Sequence, residues 1–178
     1  DTRLSNLEAG EVDATLLAFA GLSRLGKQDV VTSVIETEQL LPAVGQGVLA
    51  ATCREEDLRA NAMIASLAHP PTTAAVLAER AMLAVLDGSC QTPIAGLAYL
   101  DGTGKLGLRG IIARPDGAEK VEVELSGSAS EAEMLGSQVA ERLLLEAGPS
   151  ILDAIKETGP AIIHPHPEME RPNDQAAD

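Results

Sequence analysis

The sequence predicts an α+β protein, with α/β character in its N-terminal part and a C-terminal three-stranded antiparallel sheet carrying helices packed on one face. Three observations point there. Short β-type segments between residues 95 and 125 are separated by the turn signals "DGTG" and "PDGA". In the last of them Val121, Val123 and Leu125 alternate with Glu122 and Glu124, the period-two pattern of a sheet with one face in water. Segments with the helical period precede and follow this block.

Taken in order, Ser5 to Gly10 suit a short helix closed by its glycine. The apolar run Ala14 to Ala20, bounded by Asp13 and Gly21, fits a buried strand, and "GLSRLG" a short helical turn after it. Pro42, Gly45 and Gly47 punctuate a loop before a second expected strand, Val48 to Cys53, buried on both faces with Cys53 in the core. A helix is expected from Glu55 to Leu67, with Leu58, Met63, Ile64 and Leu67 on one side, and "HPP" stops it. Thr72 or Thr73 can cap the next helix, in which Val76, Leu77, Met82 and Leu83 recur near the helical period before Gly88 ends it. The three strands are expected at Ala95 to Leu100, Leu106 to Arg114 and Lys120 to Leu125. Ser130, with Glu133 placed for a capping box, opens a helix to about Ala147, and a shorter one runs from Ser150 to about Glu157. Residues 159–178, ending in "HPHPEMERPNDQAAD", have the composition of a disordered tail.

Composition narrows the partners. With one Phe, one Tyr and no Trp among 178 residues, the core is aliphatic and no aromatic platform exists for stacking bases. A net charge of −14 opposes attraction to nucleic acid or an anionic membrane surface. No apolar run reaches the roughly 20 residues of a membrane span. Two cysteines and no apolar leader suit the reducing cytoplasm.

The residues that could carry chemistry are few. Cys90 follows a helix end in a turn made from Gly88 and Ser89, a placement that exposes its sulfur. On local grounds an ordinary turn cysteine and a reactive one fit equally well, because reactivity requires a lowered thiol pKa. His69 could in principle serve Cys90 as a base, although nothing in the spacing requires it. No metal site is expected: the cysteines lie 37 residues apart, His69 stands alone and the "HPH" pair sits in the tail. "GQG" at Gly45 to Gly47 fits either a close backbone approach to a ligand or a plain tight turn. The residues taken singly therefore suit either an enzyme or a non-catalytic binding or interaction domain.

Four stretches taken together are more specific. "TRLSNLEAGEVDATLLAFAGLSRLG", "LPAVGQGVLAATCREED", "AERAML" and "GSCQTPIAG" occur in the order found in the porphobilinogen deaminase family, which the chain resembles over about residues 2 to 158. The resemblance implies that Cys90 carries a dipyrromethane cofactor through a thioether. It also implies extension of that primer by four porphobilinogen units and hydrolytic release of hydroxymethylbilane. Arg3 in "TRL" matches a family arginine that binds cofactor carboxylates and Arg24 in "SRLG" one that binds substrate carboxylates, while Gln46 and Gly47 match a loop lining the cofactor cleft. Arg54, Arg59 and Arg80 suit surface pairing, Arg80 with Glu79 or a neighbouring carboxylate. The family has three domains. By the resemblance residues 1–43 end the second, 44–66 return to the first, and 67–158 form the cofactor-carrying third. The family's catalytic aspartate and its remaining arginines are then expected upstream of Asp1, with no catalytic residue in this chain.

Overall fold

The computed structural model describes residues 2–86 and 92–158, which leaves Cys90, its Gly88–Ser89 turn and the expected tail outside the described residues. The chain divides into two compact units, one ending at Leu40 and one beginning at Leu41.

The first unit holds two short helices, α1 (Thr2–Glu8) and α2 (Phe19–Arg24), and a 3-10 turn at Gln28–Val30. Both helices end in the same way. After α1, Gly10 adopts φ 73° while its N–H reaches the Leu7 carbonyl and that of Glu11 reaches Asn6. After α2, Gly26 adopts φ 64°, its N–H bonds Ser23 and that of Lys27 bonds Leu22. This pair of reverse bonds around a left-handed glycine satisfies the carbonyls a helix leaves open. The run from Ala14 is not a strand. Residues 14–18 have no regular structure and α2 starts at Phe19, with Leu16 63 % exposed. An extended segment becomes a strand only when a neighbour accepts its backbone bonds, and the described residues contain one sheet, built elsewhere.

The second unit is built on that sheet. Strands β1 (Ile94–Leu100), β2 (Lys105–Ala113) and β3 (Lys120–Ser128) lie in sequence order, antiparallel, with Gly96 opposite Gly110 and Leu108 opposite Leu125. Asp101 closes the first hairpin by accepting from the backbone N–H groups of Thr103 and Lys105. Helices α4 (Pro70–Val85) and α5 (Ala132–Thr158) pack together and against the sheet. The core between them contains Met82, Leu106, Leu108, Val139, Leu143 and Ile151, each essentially removed from water. Each such side chain contributes about 1.5–3 kcal/mol of transfer free energy.

Glycines set the close spacing of these layers. The Met82 side chain occupies the space where Cβ atoms on the paired Gly96 and Gly110 would lie. A Cβ on Gly136 of α5 would collide with the Ala78 carbonyl oxygen of α4. The buried face of α4 is accordingly Ala74, Ala78 and Met82, whereas Leu77 is exposed and Val76 and Leu83 are half-buried. The start of α4 also differs from expectation: His69 is the N-cap residue and Pro70 and Pro71 occupy the first turn. Proline suits that place because its missing N–H would have had no helical partner. Thr72 bonds the His69 ring instead of capping the helix.

Helix α5 contains the expected break, with Gly148 at φ 61° followed by Pro149. Its second part is tied to the β2–β3 turn, where Ser150 donates to Glu119 at 2.8 Å and accepts from Arg114 at 3.1 Å. At its beginning a 3-10 turn (Ala129–Glu131) intervenes, and Ser128 rather than Ser130 supplies the capping oxygen.

Residues 48–67 depart furthest from expectation. Val48 to Cys53 form no strand, and Cys53 is exposed with its thiol on Asn61 Oδ1 at 3.2 Å. The expected helix is shortened to α3 (Leu58–Ala65), capped by Asp57, whose carboxylate accepts from Ala60 N. Two of its large apolar residues face water, Leu58 being 80 % and Met63 63 % exposed, while Ile64 is half-buried. Among the described residues no helix is long and apolar enough to cross a membrane.

Candidate functional site

The two matched arginines stand on the two glycine-terminated helices of the first unit. Arg3 lies in the first turn of α1 and donates from Nη1 to the Leu16 carbonyl at 3.2 Å. One N–H of its fork thus steadies the irregular segment between the helices, and the fork keeps its other donors. Arg24 is the last residue of α2, where a cation is favoured by the helix dipole. Both are exposed. An exposed guanidinium fork suits bidentate capture of a carboxylate.

Gln46 and Gly47 occupy a turn in the second unit. Gln46 N bonds the Ala43 carbonyl at 3.0 Å, and the flanking glycines adopt φ 72° at Gly45 and 80° at Gly47. A Cβ at Gly47 would meet nothing within 4 Å, so the glycine answers to backbone conformation rather than to crowding by a neighbour. The open surroundings leave room for a ligand at this turn.

The chain leading to this turn lies on the edge of β1. Gly96 N donates to the Pro42 carbonyl at 3.1 Å, and Ala98 N donates to Glu79 Oε1 at 2.8 Å. The other oxygen of Glu79 accepts from Gly45 N at 2.7 Å. Glu79 is therefore committed to backbone amides, and the expected pairing with Arg80 is not formed. Arg80 instead borders an open groove of about 480 Å³ beside the turn, lined by Val44, Val48, Ala50, Val76 and Leu83. Sequence reasoning missed Glu79 as a structural centre. The available signal was a carboxylate one residue from Ala78 on a helix whose neighbouring turns face the core.

Cys90 itself lies outside the described residues, between the end of α4 and the start of β1. Within the first unit two guanidinium forks are exposed, and within the second the glycine turn is unobstructed.

The open face of the sheet carries a separate polar cluster. The Tyr99 ring covers Gly107 and its hydroxyl donates to Glu124, while Arg109 bonds Glu122. The Glu124 hydrogen bond, with some desolvation, raises the Tyr99 pKa. The Arg109 bond holds the Glu122 carboxyl below the ordinary glutamate value.

Residues 1–62 match the family model described as porphobilinogen deaminase, dipyromethane cofactor binding domain, and residues 73–145 match porphobilinogen deaminase, C-terminal domain. A porphobilinogen deaminase of Nitrobacter winogradskyi is 47 % identical over 148 residues, covering 83 % of this chain and 46 % of that protein. The chain spans about half the length of the curated relative it matches.

Proposed function

The chain belongs to the porphobilinogen deaminase family, and on that premise we propose that it is the C-terminal part of a hydroxymethylbilane synthase. This transferase of tetrapyrrole biosynthesis condenses four porphobilinogen units onto a cysteine-linked primer, with loss of one ammonia per unit, and releases hydroxymethylbilane by hydrolysis. The observation that carries the reading is the joint match of both family domains, in order, over residues 1–62 and 73–145.

In this reading Cys90 is the covalent anchor of the dipyrromethane. When bound, that group supplies the pyrrole end from which the chain is extended. Arg3 and Gln46–Gly47 hold the cofactor, and Arg24 holds carboxylates of the incoming or growing chain. Each added pyrrole brings an acetate and a propionate, so the demand for guanidinium donors rises with every step. Residues 1–43 end the second domain, 44–66 return to the first, and 67–158 carry the cofactor. The division of the chain after Leu40 supports the first of these boundaries. The aspartate that handles the proton of the leaving amine belongs to the part of the protein upstream of Asp1. An acidic chain with an exposed free thiol at Cys53 suits the cytoplasm.

Replacing Arg3 or Arg24 by Leu in the full-length protein tests the assignment. Cofactor assembly or elongation should fall by more than tenfold, since a charge-assisted hydrogen bond contributes roughly 1.5–3 kcal/mol. Thermal stability should hardly change. Porphobilinogen consumption at the wild-type rate by both variants would contradict the roles given to them.

A further inference from the structure

Glu79 is the buried charged side chain of the described core, 6 % exposed, and nothing in the proposed chemistry uses it. Its position is unusual. It stands on α4, the element before Cys90 in the chain; one oxygen holds Ala98 of β1, the element after Cys90; the other holds Gly45, the residue before Gln46 and Gly47. Backbone pairing joins the two segments at Gly96 N and the Pro42 carbonyl, and farther along each the Gly45 and Ala98 amides take the Glu79 carboxylate as acceptor instead. A neutral side chain could not serve both equally: an amide would turn its NH2 toward one of the two N–H donors. A carboxylate offers an acceptor to each, and burial between α4 and β1 fixes its direction.

We propose that Glu79 is a positioning residue, which holds the Gln46–Gly47 turn in register with the two elements that flank Cys90. This rests on the reading under which that turn contacts the cofactor. Removing Glu79 then leaves Cys90, the guanidinium forks of Arg3 and Arg24 and the Gly96–Pro42 bond unaltered but loosens the turn at Gly45. Because the turn is matched to the cofactor rather than to the arriving substrate, the loss should appear in kcat more than in KM.

The test begins with amide hydrogen exchange on the unaltered chain: Gly45 should exchange at least tenfold more slowly than Gly47, which makes no such bond to Glu79. In Glu79→Gln, protection at Gly45 or Ala98 should fall at least tenfold while Leu108 and Val123 keep theirs, which shows that the fold persists. In the full-length protein the same variant should retain the cofactor mass and lose about tenfold in kcat with KM changed less than twofold. Equal exchange of Gly45 and Gly47 in the unaltered chain would overturn the proposal. So would an unchanged kcat in a cofactor-loaded variant. Absence of cofactor from the unaltered full-length protein would instead overturn the proposed function, leaving the exchange result to stand by itself.

Discussion

Leu108 and Leu49 are the same residue in similar apolar surroundings of sequence, yet Leu108 is wholly buried and Leu49 is 83 % exposed. The contrast extends to whole regions. Among the described residues from α4 to α5 the three strands pair and both helices bury an apolar face against the sheet, whereas Leu16, Leu49, Leu58 and Leu67 stay largely exposed. Apolar patterning states what a segment can bury; topology decides whether it does.

Hydrogen exchange should show this difference most strongly. Amides of β2, β3 and α5 should be protected roughly 10³-fold or more beyond those of residues 14–18 and 48–54, because they open only with the core. Comparable protection in both regions of a monomer would erase the contrast.

Core variants sharpen it next. Leu108→Ala should cost about 2–5 kcal/mol in denaturant unfolding. Leu49→Ala or Leu58→Ala in the same chain should stay within about 0.5 kcal/mol. Gly136→Ala should cost about 3 kcal/mol, since its Cβ would meet the backbone of α4, which cannot step aside as a side chain does. Gly110→Ala, opposed first by the flexible Met82 side chain, should cost less.

The smallest effect concerns acid. Arg109 depresses Glu122, Arg114 depresses Asp116, and Thr103 depresses Asp101. A carboxyl depressed in the folded state contributes stability above its unfolded pKa and loses it as pH falls through the folded value, so stability should decline below roughly pH 4. Glu122→Gln should remove about 0.5 kcal/mol or less at neutral pH, as befits a partly exposed pair, and flatten part of that decline.

The sheet was readable from the sequence because its signals are local: "DGTG" and "PDGA" fix the hairpins, and the Val121–Leu125 alternation fixes the wet face. The Gly148–Pro149 break in α5 was readable for the same reason. The buried face of α4 was not, because large side chains define a stripe only when space is free. Here Gly96, Gly110 and Gly136 bring the layers so close that alanines are buried and Leu77 is left outside. The strands at Ala14 and Val48 failed for want of partners, a property that no local window contains. Arg3, Arg24, Gln46 and Gly47 enter the proposed site by resemblance alone, and all four are exposed. Glu79 escaped notice because its partners are backbone amides, which leave no mark on side-chain spacing.

The most direct measurement is the mass of the Cys90 peptide from the full-length protein, compared among wild type, Cys90→Ser and Cys53→Ser. The added mass of two linked pyrroles is expected on the Cys90 peptide in wild type and Cys53→Ser, and none in Cys90→Ser. Retention of that mass in Cys90→Ser, or its presence on the Cys53 peptide, would contradict Cys90 as the anchor.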